Sequence, residues 1–184
     1  TGVCNYYNRI DKDPTVGGWT ATQERDTIGT SLACVELRGQ GTRAAGFMRL
    51  ISYNIHKGIG GQDRRYRLDR IIGVIEQENP DLICLQEVDR HVKRSHFHDQ
   101  PKLLAHHFHS AGHLYQMNVH LKEGGYGNLI LSRWPFRSHH QISLTYQGHK
   151  ARGAQIVVVE TDEGPMHLVN WHLGLAEKMR QWQV

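Results

Sequence analysis

Cysteine is scarce in this chain. Cys4, Cys34 and Cys84 are three, far apart and odd in number. That spacing builds neither a disulfide framework nor a zinc cluster. Cys84 stands in an apolar run and reads as a small buried hydrophobe. Such usage fits a reducing, cytoplasmic setting. Long hydrophobic runs are lacking too. No stretch of about 18 apolar residues occurs, which excludes a helical membrane span. The opening TGVCNYYNRIDKDP has no basic segment leading into an apolar one, so no signal peptide is legible. Charge of one sign is in only slight excess, at a net +4. Residues 1–47 balance five Lys/Arg against five Asp/Glu, so the excess lies after them, 17 basic against 13 acidic. A weak positive field favours phosphate-bearing partners but falls short of a dedicated DNA binder. Internal repeats and low-complexity tracts are missing as well.

What is present suffices for one domain: 184 residues, 39% hydrophobic and 22% charged. Residues 1–47 are rich in Thr, Gly and Asn and show no sustained period, and position 1 is not Met. The expectation is a poorly ordered leader over 1–47 and a domain over 48–184, with Met48 close to its true start. From Met48 the pattern sharpens. MRLISYNI reads as a strand, and Leu68, Ile71, Ile72 and Ile75 form one face of a helix. Pro80 follows as a stop, and DLICLQEV reads as a buried strand. Strand, helix, strand predicts an α/β fold. DQPKLLAHHFHSAG predicts a second helix, and YQMNVHL, NLILSRW and HQISLTY further strands. AQIVVVET and MHLVNWHL flank DEGP as a hairpin, and GLAEKMRQWQV opens a last helix.

Asn54 closes the first strand, and Glu87 closes the second. In parallel neighbours both emerge at the carboxyl edge of the sheet, where open α/β sheets hold ligands. A carboxylate beside an amide oxygen is hard-oxygen ligation suited to Mg²⁺ or Mn²⁺. A capped turn and a solvated strand end fit the same spacing. His172 emerges from the last strand and can serve as acid, base or phosphate clamp, although any of 14 histidines has a structural reading. His106 and His109 share a helix face but lack further ligands at zinc spacing. HKGIGGQD lacks the Lys-Ser/Thr of a phosphate-binding loop and reads as a mobile surface loop. Arg64, Arg65, Arg67 and Arg70 read as a solvated face. Asp89, beside Glu87, receives no role.

RLISYNIHKGIGG, NPDLICLQEVDR, GGYGNLILSRWPF, ARGAQIVVV and HLVNWHLGL occur in that order over residues 48–184. This ordered set resembles the endonuclease/exonuclease/phosphatase superfamily of metal-dependent phosphohydrolases. The resemblance implies a four-layer α/β sandwich, two packed β-sheets with helices outside. It implies that Asn54 and Glu87 hold Mg²⁺ or Mn²⁺, that His172 acts on the scissile phosphate supported by Asn170, and that Asn128 and Arg152 contact substrate. The implied reaction is hydrolysis of a phosphodiester in nucleic acid or a related phosphate ester. A phosphomonoester or a lipid or sugar phosphate is the alternative substrate, and a non-catalytic nucleic-acid or protein binding module the alternative function. Retention of Asn54, Glu87 and His172 together argues against the latter. No obligate protein partner is evident. The family's G-D-x-N and S-D-H motifs do not occur. The expectation is therefore the amino-terminal part of the sandwich, an inactive fragment with one face of its first sheet left open.

Overall fold

The apolar run Leu82–Leu85 lies in a strand covered on both faces, which is why it shows no alternation. In the computed structural model, residues 20–25, 32–38 and 47–184 are described. The first sheet holds β1 (Thr20–Arg25), β2 (Leu32–Arg38), β3 (Phe47–Asn54), β4 (Leu82–Arg90), β5 (Gly112–His120) and β6 (Gly125–Ser132). Their order is β1-β2-β3-β4-β6-β5. The β3–β4 pair is parallel, and the other pairs are antiparallel. The second sheet is an antiparallel meander of β7 (Phe136–Ser143), β8 (Gly153–Thr161) and β9 (Gly164–Trp171). Among the described residues three α-helices accompany the sheets: α1 (Leu68–Glu78), α2 (Gln100–His107) and α3 (Glu177–Gln183).

Alternate residues divide between two cores. Leu50, Leu82, Cys84, Leu114 and Ile130 face the second sheet and meet Val157, Val159, Met166 and Leu168. Ile51, Ile83, Leu85, Leu129 and Leu131 face the other way and are covered by Ile75 of α1 and Leu104 of α2. Leu68, Ile71 and Ile72 pack against the same cluster, as their spacing predicts. Burial raises the Cys84 thiol pKa to about 12, so it behaves as a hydrophobe. The fold is an α/β sandwich of two packed sheets flanked by helices.

Two expectations change. The inner face of the first sheet is not open, because β7–β9 pack on it. The strand expected at HQISLTY begins earlier, at Phe136, because β7 pairs with β8 from Phe136↔Val159 onward. Within residues 1–47, β2 pairs antiparallel with β3, and β1 antiparallel with β2. The rest of the expected leader lies outside the described residues. No helix among the described residues is long and apolar enough to cross a membrane.

Candidate active site

The parallel β3–β4 pair brings Asn54 beside Gln86 at the carboxyl edge. Past that point the two strands part. β3 turns away through a short 3-10 turn, His56–Gly58, in which His56 and Lys57 have φ of 47° and 64°. Asn54 Oδ1 accepts from the His56 backbone N–H at 3.1 Å and so shapes that turn. β4 continues to Arg90 rather than ending at Glu87, but its register against β6 shifts between Leu85 and Val88. Glu87 sits in this bulge with φ of 57°. A left-handed backbone costs a residue with a Cβ about 1–2 kcal/mol. Such strain persists where the surrounding structure over-determines it, and a bulge re-aims a side chain.

The carboxylate so aimed receives a charged hydrogen bond from the Lys57 ammonium. Both side chains are mostly covered, 19% exposed for Lys57 and 12% for Glu87. Burial alone pushes the Glu87 pKa up. The hydrogen bond and positive charge of Lys57, with His172 and His56, outweigh it and hold the pKa below the usual value.

The second sheet supplies the facing groups. Arg152 immediately precedes β8, and His172 immediately follows β9, so their antiparallel pairing brings them together. Arg152 Nη1 lies 3.3 Å from His172 Nδ1. A guanidinium only donates, so Nδ1 accepts and the imidazole proton is assigned to Nε2. Burial, followed by the Arg152 charge, depresses the His172 pKa to about 4. The imidazole is therefore neutral at pH 7. Asn128 Nδ2 donates to the Gly153 carbonyl at 2.9 Å. Asn128 Oδ1 and Arg152 Nε are buried without protein partners among the described residues.

Asn170 is placed differently. Its Oδ1 accepts from Gln86 Nε2 at 2.9 Å, and its Nδ2 meets Gln155 Oε1 at 3.0 Å and the carbonyls of Leu85 and Leu129 at 3.2 and 3.3 Å. Gln155 Nε2 in turn donates to the Leu114 carbonyl at 2.8 Å. The Asn170 amide is thus engaged in a polar seam between the two sheets, two residues before His172.

Asn54, Glu87, His172, Arg152 and Asn128 therefore converge on the edges of the packed sheets. Glu87 and His172 are near enough for each charge to shift the other's pKa. Sequence reasoning missed Lys57, Gln86 and Gln155. The signal for Lys57 was its place three residues after Asn54 in a loop without a period. It also left Asp89 unassigned. Asp89 is fully buried and accepts from Arg94 at 2.7 and 2.9 Å and from Ser95 Oγ at 2.9 Å, an ion pair that braces the far end of β4. The Arg cluster is a solvated face: Arg67 pairs with Asp69, and Arg70 with Asp63. Around the Tyr126 ring, Lys57, Arg94 and Lys150 approach to 5.3, 5.2 and 5.6 Å from its centroid, a cationic rim beside Glu87.

Two packed sheets whose polar side chains meet at one edge define a class of α/β sandwich proteins with an edge-on site. Residues 51–184 match the Endonuclease/Exonuclease/phosphatase family, and the chain belongs to it. It is 30% identical over 145 residues to the uncharacterized protein YbhP of Escherichia coli K12, covering 74% of this chain and 57% of that protein. An endonuclease/exonuclease/phosphatase from Beutenbergia cavernae DSM 12333 shares the fold with a TM-score of 0.61 at 23% identity, over 74% of this chain and 42% of that one. A family protein from Leptotrichia buccalis C-1013-b matches at a TM-score of 0.53 and 12% identity, over 69% and 55%. The chain spans about half the length of these relatives.

Proposed function

We propose that the protein acts in divalent-metal-dependent hydrolysis of a phosphate ester, with a phosphodiester, of nucleic acid or a related kind, as the substrate. The observation that carries this reading is the bulge at Glu87. It spends backbone strain to aim a carboxylate at the edge where Asn54, His172 and Arg152 also emerge.

The donor set fits Mg²⁺ or Mn²⁺. Glu87 and Asn54 offer a carboxylate and an amide oxygen, hard ligands of the kind these ions take. The carboxylate already rests against a cation, the Lys57 ammonium. Among the described residues no group of three or more His, Cys, Asp or Glu offers an alternative centre. A bound Mg²⁺ or Mn²⁺ supplies neutralisation of phosphoryl charge and stabilisation of the leaving oxygen.

The chain's own residues contribute the rest. His172 is neutral, and the lone pair on Nδ1 is taken up by Arg152. Its Nε2–H is thereby oriented as a donor toward a phosphoryl oxygen. Arg152 adds a fixed positive charge where negative charge grows. Asn128 Oδ1 cannot bond to a phosphoryl oxygen, since both are acceptors. It suits a hydroxyl or a water beside the phosphate. Asn170 acts as a positioning residue, holding the end of β9 against β4.

The test is turnover of bis(p-nitrophenyl) phosphate and p-nitrophenyl phosphate with Mg²⁺ or Mn²⁺ and with EDTA. Metal-dependent release from the diester that disappears in His172→Gln supports the reading. Release from the monoester alone assigns a phosphatase instead. No release from either agrees with the inactive fragment expected from the missing G-D-x-N and S-D-H motifs, and the reading then falls if Mn²⁺ binding is absent or survives Glu87→Gln unchanged.

A further inference from the structure

Gln100 has no role in the site described above, yet it touches both segments that build it. It lies in the first turn of α2 and is fully buried. Its Oε1 accepts from the Asp89 backbone N–H at 2.8 Å, and its Nε2 donates to the Lys57 carbonyl at 2.8 Å. Lys57 lies three residues after Asn54, and Asp89 two residues after Glu87.

The topology explains why a side chain is needed there. The β3–β4 ladder ends at Asn54↔Gln86, with a last bond from Ile55 N–H to the Gln86 carbonyl at 3.1 Å. β3 then leaves, and among the described residues no strand pairs with β4 beyond Gln86 on that side. This is also where β4 bulges and Glu87 takes its left-handed φ. A buried amide with two fixed bonds closes the gap. It stands in for the departed strand at Asp89 and ties the β3 turn to β4 across the bulge. The segment entering α2 is itself pinned to β4 by the Arg90↔Asp99 bridge and capped by Asp99, whose carboxylate accepts from Lys102 N–H at 3.1 Å. Gln100 therefore has little freedom to follow a moving loop.

We propose that Gln100 is a positioning residue for the metal-binding pair. It sets the separation and aim of Asn54 and Glu87 by clamping the segments that follow each of them. This inference rests on the metal reading under Proposed function. Partners that orient ligands from behind typically change metal affinity by about 10–100-fold when removed.

The experiment is Mn²⁺ titration calorimetry on the intact protein and its variants, paired with unfolding curves in EDTA. Gln100→Met keeps the length and loses both bonds. Gln100→Glu keeps an acceptor for the Asp89 N–H but sets an oxygen against the Lys57 carbonyl. Both are expected to weaken Mn²⁺ binding by about tenfold or more while the protein stays folded. A merely structural Gln100 lowers the unfolding midpoint and leaves the Mn²⁺ dissociation constant of the folded protein unchanged, which overturns the proposal. Should Gln100→Met fail to fold, Gln100→Glu is read by the same criterion. Wild-type protein that binds no Mn²⁺, or binds it equally well in Glu87→Gln, overturns the metal reading and this inference with it. That outcome is distinct from unchanged binding in the Gln100 variants alone.

Discussion

Replacing Asn170 by Leu tests the seam between the sheets. The branched shape and the number of heavy atoms are kept, and every hydrogen bond of the amide is lost. The Leu85 and Leu129 carbonyls belong to paired strands, so the cost falls on the two side-chain amides that Asn170 joins. Gln155 Oε1 loses its 3.0 Å donor. Gln86 Nε2 loses its 2.9 Å acceptor and retains longer contacts to Cys84 O at 3.3 Å and Ser52 Oγ at 3.4 Å. Both glutamines are fully buried, so water does not replace the lost partner. At about 1–3 kcal/mol for each buried group left unsatisfied, the expected destabilisation is about 3 kcal/mol. Urea unfolding reads this as a midpoint lowered by about 1.5 M if the slope is about 2 kcal/mol/M. A change below about 1 kcal/mol with an unchanged slope would refute the seam as a stabilising junction.

Gly127→Ala is expected to destabilise by about 3 kcal/mol or more, because a Cβ there meets the Gln116 carbonyl oxygen at 1.7 Å, and that oxygen belongs to backbone; near-native thermal stability speaks against the bulged β5–β6 register. For His172, the folded pKa of about 4 lies below the ordinary 6.5, so the unfolded chain takes up a proton first as pH falls. Its contribution is fully present above about pH 6.5 and is lost toward pH 4, up to about 3 kcal/mol; the difference between wild type and His172→Gln, followed by denaturation across that window, should shrink on acidification, and a constant difference contradicts the buried neutral imidazole. Asp89→Ala strips Arg94 and Ser95 of a fully buried acceptor and should cost about 3 kcal/mol in urea unfolding, whereas a neutral result removes the bracing role of that pair.

Much of the frame was legible because it rests on local pattern. The stripe Leu68, Ile71, Ile72, Ile75 announced α1, and the run Leu82–Leu85 announced a strand covered on both faces. Asn54 and Glu87 could be placed on one edge once parallel pairing was assumed, and the pairing is parallel. The bulge was not legible. A glycine would have marked a left-handed position, but here a glutamate occupies it. The seam was hidden for another reason: Gln86 and Asn170 are 84 residues apart, and only the packing of one sheet on the other makes them partners. The same packing covers the face expected to lie open. β7, β8 and β9 were each expected as strands, but their stacking on the first sheet is a long-range property that period and turn signals do not carry.

The proposed function stands on Glu87 and Asn54 as a divalent-metal site at this edge. The most direct measurement is the anomalous scattering of crystals grown with Mn²⁺. A peak is expected bonded to a Glu87 carboxylate oxygen and to Asn54 Oδ1 at about 2.1 Å, with the Lys57 ammonium moved off the carboxylate. Crystals in which Lys57 still holds Glu87, and Mn²⁺ is absent or bound elsewhere, would contradict it.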